Sequence, residues 1–430
     1  MRSAGHSRFG ELWRNGDFLK FWAGETISLF GAQVTLLALP LIAVLVLDSD
    51  SGEVGLLRFM QMLPYLLFSL LFGVIADGRR RRPLMIGANA VRAVMLGFVP
   101  LLALADLLNL GLLYVITFVV GLGAVMFDVC WLSYVPTLVK ERNLLAANGR
   151  LGATSSAAEI GGPGLGGILV HLLSAPLALA VNAVSCLVSI ASLLLIRAKE
   201  VVPPRRPEKR NVMKEAGEGI RWVFSDRKLR VLALLGCCYN FFTTFVDTVF
   251  LVYAVRELSL GADEIGIVLG FGGVGGLLGA TVANPASRRF GLGKVYGASM
   301  LLAFSAWILI PLAGGPYAQI LVMVIAAHFL TGFGMGVGNV ISISVRQTVT
   351  PTALMARMNA AMRMLMHGVA AVGGPVGGYL GGLLGLHTAL VIGAVAAILV
   401  VLPMLRSRIV RLRDISELSE ERAAEATARE

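Results

Sequence analysis

Twelve membrane-spanning α-helices in two similar six-helix halves is the all-α architecture this sequence predicts. Three observations predict it: apolar residues fall in separate blocks, basic residues collect on alternate connections, and a glycine–proline motif of the first half returns in the second.

The blocks come first. The chain has 430 residues, of which 57% are hydrophobic and 15% charged, whereas a globular domain carries about 45–50% apolar and roughly 25% charged residues. A single water-soluble core cannot hide that excess. Spans are expected at 22–47, 54–76, 83–105, 110–132, 147–170, 176–196, 230–254, 263–284, 293–314, 318–340, 359–382 and 387–405. Each is close to the ~20 residues that cross a ~30 Å hydrocarbon layer. Without water there, backbone N–H and C=O groups must pair within the segment, so the spans must be helical. The fifth and eleventh begin with polar turns, at Asn148 and Arg150 and at Asn359 and Arg363.

Charge sets the orientation. With the N-terminus inside, all but Arg58, Arg92 and Arg256 of the 37 Lys and Arg fall on the cytoplasmic side, while outer connections carry Asp48, Asp50 and Glu53. This is the positive-inside pattern, with both termini cytoplasmic. The net charge of +11 therefore orients the chain, and no nucleic-acid partner is expected. The expected divisions are an interfacial segment at 1–21, a bundle at 22–196, a cytoplasmic linker at 197–229, a second bundle at 230–405 and a charged tail at 406–430. Phe9, Leu12, Trp13 and Leu19 have helical spacing beside Arg8, Arg14 and Lys20, which suits the inner membrane surface. The linker holds the run VVPPRRPEKR, read as extended chain before a short surface helix. The first residues are polar and no A-x-A-like site follows the first apolar block, so no cleavable signal peptide is expected.

Chemistry of other kinds finds little support. Cys130, Cys186, Cys237 and Cys238 lie in apolar blocks at no metal-ligand spacing and read as packing residues. No GxxxxGK[ST] run occurs, which excludes a P-loop ATPase. No nucleophile–base pairing emerges either, so neither an enzyme, a metal site nor a cofactor is expected.

The halves echo each other. GGPGLGG at 161–167 returns as GGPVGG at 373–378, an offset of 212 (373 minus 161). Asn148 and Arg150 correspond to Asn359 and Arg363, and GVIADGRRRRP after the second span has a weaker echo in GATVANPASRRFG after the eighth. Parallel repeats of six spans imply two bundles about a central cavity.

On these residues the chain resembles the major facilitator superfamily over roughly 15–405. Gly73, Asp77, Arg81 and Arg82 match that superfamily's G-x-x-x-D-(R/K)-x-G-(R/K)-(R/K) loop, while Gly78 and Arg80 depart from it. Gly162, Pro163, Gly166 and Gly167 resemble its antiporter motif, repeated here as Gly374, Pro375, Gly377 and Gly378. The stretch YVPTLV…LLAANGRL is similar to the macrolide-efflux and siderophore-export branch. The resemblance implies a loop around Asp77 that latches the halves. It also implies export of drugs or natural products in exchange for protons, by a monomer in the bacterial cytoplasmic membrane. The fourth span lacks the arginine that many drug:proton antiporters place there, which leaves a proton-independent uniporter or a lipid or lysolipid flippase open. A non-transporting membrane scaffold is the reading from another class.

Acids inside spans mark the candidate sites, because a carboxylate at mid-bilayer costs roughly 2.5–3.5 kcal/mol on insertion scales and so faces a cavity or a partner. Asp247 lies midway along the seventh span on a stripe with Asn240 and Thr244, near the repeat position of Gln33 in the first. Burial disfavours the charged form, which suits reversible protonation. Asp128, Glu25 and Glu159 are the other acids, and Arg92 is expected to pair with Asp128 or Glu159. Together with Asn240 and Gln33 these residues are the candidates for proton coupling or substrate binding. His328 reads as a hydrogen-bonded packing histidine, and Phe241, Phe245, Phe271 and Trp307 are expected to line an apolar cavity.

Overall fold

A computed structural model of the chain describes residues 12–76, 79–198, 200, 212–403, 407, 410 and 412. The helices are α1 Gly16–Leu45, α2 Ser51–Ala76, α3 Arg81–Leu104, α4 Leu110–Leu138, α5 Leu144–Leu173, α6 Ala175–Leu195, α7 Val212–Ser225 and α8 Arg227–Arg256. They continue with α9 Ala262–Phe290, α10 Leu292–Ser305, α11 Tyr317–Val349, α12 Thr352–Leu384 and α13 Leu386–Val401, and no strand occurs among the described residues.

Among the described residues, eight stretches are long and apolar enough to cross a membrane: α1, α3, Leu110–Trp131 of α4, α6, α8, α9, Leu292–Leu309 and α11. The first halves of α5 and α12 carry polar and charged residues such as Asn148, Arg150, Asn359 and Arg363, and α13 is apolar but has 16 residues. Helix starts are marked by side chains that satisfy otherwise unpaired N–H groups. Asn15 accepts from Phe18 N at 3.1 Å, Asn109 from Leu112 N at 3.0 Å, and Asp226 from Lys228 N and Leu229 N at 2.7 and 2.9 Å. Asp50 and Glu53 make a reciprocal capping box at the start of α2, at 2.8 and 3.0 Å. With Asn15 as cap, α1 begins at Gly16, six residues before the apolar block expected at 22.

The chain divides into two compact units. The first is Met1–Ser49, Leu57–Lys209 and Gly261–Ile267; the second is Asp50–Leu56, Arg210–Leu260 and Val268–Glu430. In the first, α1 packs on α6 and α5, and α3 on α6 and α4; in the second, α8 packs on α12 and α13, and α10 on α11 and α13. The same pairing scheme thus occurs in each. The tight junctions match too: Ser174, between α5 and α6, has φ 87° and ψ 157°, and Gly385, between α12 and α13, has φ 86° and ψ 152°. Glycine adopts that conformation freely, whereas Ser174 holds it against its own Cβ.

Each unit has its own core. Phe18 and Phe21 of α1 are buried with Met85 and Tyr134, and the Phe21 and Tyr134 rings stand 5.6 Å apart. In the second unit the amphipathic linker helix α7 docks on α12 rather than lying free. Val223 is buried with Met358, Ala361 and Met362, and Arg357 pairs with Glu218 at 2.6 Å.

Candidate functional site

Four helices of the first unit bring ionisable groups together. Glu25 of α1 is 5% exposed and Arg92 of α3 is 6% exposed. Tyr65 of α2 donates to Asp128 Oδ2 of α4 at 2.8 Å. The charges of Asp128 and Arg92 act on both Glu25 and Tyr65, so the four form one electrostatic cluster. Arg92 fits because residue 123 is glycine: a Cβ there would lie 2.7 Å from Arg92 Cγ.

Arg92 corrects the sequence-based expectation. It donates from Nη1 to Asn89 Oδ1 at 3.0 Å, and Asn89 donates in turn to Ser189 Oγ of α6 at 2.9 Å. Among the described residues it forms an ion pair with neither Asp128 nor Glu159. Tyr65 holds Asp128, while Glu159 is exposed and accepts from Ser155 on its own helix at 3.4 Å. Arg92 Nε and Glu25 Oε2 are buried and meet no hydrogen-bond partner among the described residues. Glu159 therefore stands outside the cluster, whereas Glu25, Asp128 and Arg92 belong to it.

In the second unit Asp247 is half-buried on α8. Its charge acts on Tyr239 of the same helix and on His328 of α11. Asn240 turns its Nδ2 back to Gly236 O at 2.8 Å, and Thr244 ties α8 to Ala370 O of α12 at 2.8 Å. The aromatic side chains depart from expectation. Trp307 is 2% exposed and stacked on Tyr239 at 5.6 Å, and Phe245, also 2% exposed, fills the space left by Gly377 and Gly393. These two rings are packing residues; an apolar ring reads the same in sequence whether it faces core, cavity or lipid. Phe271 remains exposed.

The glycine–proline motifs are close-contact seams. A Cβ on Gly162 would strike the Gln33 side chain, and one on Gly166 would come within 3.3 Å of Val34 Cα, so these two admit α1. Gly167 admits the first turn of α9, where a Cβ would strike Ala262 O and lie 3.0 Å from Asp263 Cα. Pro163 sits inside α5. In the repeat, Gly377 stands against Phe245, and Gly374 stands against Gly55. Ser51 Oγ donates to Gly378 O at 2.8 Å. Pro375 lies inside α12 as Pro163 lies inside α5. Small residues are what membrane helices use where backbones approach.

The sequence pattern of the family described as transmembrane secretion effector matches residues 9–428. The chain belongs to the transmembrane secretion effector family. The multidrug efflux pump Tap of Mycolicibacterium fortuitum is 27% identical over 403 residues, covering 87% of this chain and 93% of that one. Macrolide efflux protein A of Streptococcus pyogenes is 22% identical over 279 residues, 63% of this chain and 68% of that one. Among solved structures, the nucleoside transporter NupG superposes with TM-score 0.71 at 13% identity, covering 91% of this chain and 98% of that one. A bacterial homologue of the iron transporter ferroportin gives 0.67 at 17%, with 91% and 99% covered. The fold is that of the major facilitator transporters. This secretion-effector chain is a multi-span transporter of the bacterial cytoplasmic membrane, not an enzyme.

The signature loop of this transmembrane secretion effector is partly described. Asp77 lies outside the described residues, and a Cβ at Gly73 would meet nothing within 4 Å. Arg81 Nη1 donates to Ser133 O and Arg82 Nη2 to Leu194 O, both at 2.9 Å, anchoring the start of α3 to α4 and α6. At the N-terminus of α3, Glu200 accepts from Arg81 N at 2.6 Å and Arg82 N at 3.1 Å. Sequence reasoning missed Glu200 and Tyr65, since neither shares a helix with its partner. The Asn89–Arg92 bond was likewise not drawn from the sequence, although spacing of i, i+3 puts the two on one helix face.

Proposed function

We propose that this chain exports small amphipathic molecules such as drugs, macrolides, siderophores or other natural products, by alternating access and in exchange for protons. In this reading it is a monomer with twelve spans and both ends cytoplasmic, and it draws on no ATP. The names of the efflux relatives support export. The observation that carries proton exchange is the buried, unpartnered Oε2 of Glu25. Two carboxyls and one guanidinium share its cluster, so uptake of one proton brings the cluster to neutrality. In a low-dielectric interior that balance matters greatly. Glu25 then carries the proton, Arg92 and Asp128 set its charge environment, and Tyr65 orients Asp128. Asp247 with Asn240, and Gln33 against Gly162, offer polar contacts to substrate. The loop of Gly73, Asp77, Arg81 and Arg82 latches the halves.

The test is efflux from cells. A drug-sensitive bacterium expressing the chain is loaded with a panel of macrolides and cationic dyes, and retention is followed with and without an uncoupler. Retention should fall with expression for at least one compound and rise again on uncoupling. Export that persists after uncoupling rejects proton exchange and leaves the uniporter or flippase.

A further inference from the structure

His328 is 8% exposed on α11 and touches α8 and α9. Its Nδ1 lies 3.0 Å from Val324 O, one turn back on the same helix. A carbonyl only accepts, so Nδ1 carries the hydrogen and the neutral ring presents a lone pair at Nε2. That Nε2 is buried and meets no donor among the described residues. Leaving a buried acceptor unmet is costly, so such a group calls for an explanation. The residue is packed from two sides. Phe250 stands 4.8 Å away, and a Cβ on Gly272 of α9 would lie 3.6 Å from His328 Cβ.

From α8 comes Asp247, three residues before Phe250 and so on the same face, and its charge acts on the imidazole. Tyr239, two turns earlier on α8, feels the same carboxylate. α9 approaches the His328 backbone and Cβ with Gly272, and α10 meets α11 nearby through Ala303 O, which accepts from Thr331 at 3.3 Å. Tyr296 of α10 and Arg346 of α11 interact 18 residues further along α11 (346 minus 328).

We propose that His328 and Asp247 form a proton-binding site of their own in the second unit. Nε2 takes the proton, and the neighbouring carboxylate stabilises the imidazolium that results. The proposal rests on export for protons and extends it: each unit carries a protonatable station, Glu25 in the first and His328 in the second. A packing histidine would need no acid nearby and no open lone pair.

The experiment reads protonation directly and needs no substrate. Protein labelled with 15N-histidine is placed in lipid nanodiscs, and the ring nitrogens are followed by NMR from about pH 9 down to about pH 5, a range that brackets the unperturbed histidine value. His328→Gln assigns the signal among the 5 histidines. If that variant does not fold, replacing the other four leaves one signal. At high pH the spectrum should show hydrogen on Nδ1 alone, and Nε2 should move to the imidazolium position as pH falls. Asp247→Asn should lower the midpoint by at least about one pH unit, a tenfold loss of proton affinity. A ring that stays neutral throughout, or a midpoint indifferent to Asp247→Asn, overturns the proposal. Neither result touches the Glu25 reading, which efflux and flux measurements decide separately.

Discussion

Replacing Arg92 by glutamine should reveal how the charges of the first unit are balanced. Arg92 is 6% exposed, its Nη1 holds Asn89 at 3.0 Å, and its charge acts on Glu25 and Tyr65. The change removes one charge-assisted hydrogen bond, worth about 1.5–3 kcal/mol. It also strips the Arg92 cation from a cluster holding two carboxyls. Breaking a buried charge arrangement by removing one partner costs about 3–5 kcal/mol, because the remaining charge is left uncompensated. Arg92→Gln should therefore destabilise by about 3–5 kcal/mol, read as a lowered thermal midpoint in detergent at neutral pH. If the uncompensated carboxylate is the cause, a second change should repair the damage. Glu25→Gln added to Arg92→Gln should recover at least half of the loss, leaving only the Asn89 bond unmade. A single variant within about 0.5 kcal/mol of the parent, the usual range for surface changes, would refute the cluster. So would a double variant no more stable than the single one.

Three further predictions follow from particular contacts. Ser174→Gly should raise the thermal midpoint, since relief of the backbone at φ 87° is worth about 1–3 kcal/mol against about 0.5–1 kcal/mol of added chain entropy; Gly385→Ala should lower it, and the opposite pair of signs contradicts the junction's geometry. Gly167→Val should cost about 1–3 kcal/mol by overpacking against Ala262 and Asp263, and a variant of unchanged stability and transport would mean that the seam opens freely. Tyr65→Phe deletes the 2.8 Å bond to Asp128 and should cost about 1–3 kcal/mol; proton-linked transport should fall with it, and unaltered transport would remove Tyr65 from the mechanism.

Much of the fold was legible because it is written locally. Hydropathy blocks follow from whether a segment meets water or an apolar medium, and the repeat is plain in the glycine–proline runs. The structure adds matching junctions at Ser174 and Gly385. What hydropathy overlooked were caps. Asn15 before Asp17 marks the true start of α1, yet the residues it introduces are polar and fall outside any apolar window. The candidate site was legible as a set of acids and not as an arrangement. Which acid meets Arg92 depends on the rotation of α3, α4 and α5 about their axes, and no residue spacing encodes that. Glu159 turned outward and Glu25 inward for this reason. Tyr65 and Glu200 act on other helices, so their roles exist only once the helices pack.

Substrate-triggered proton movement in liposomes tests the central claim most directly. Purified protein is reconstituted with a pH-sensitive dye inside and an inward proton gradient imposed, and compounds that the cell assay shows to be exported are added. The account predicts that such a compound accelerates acidification of the lumen, and that Glu25→Gln abolishes the acceleration in folded protein. Substrate that crosses while the lumen pH holds steady, or full acceleration with Glu25→Gln, would contradict it.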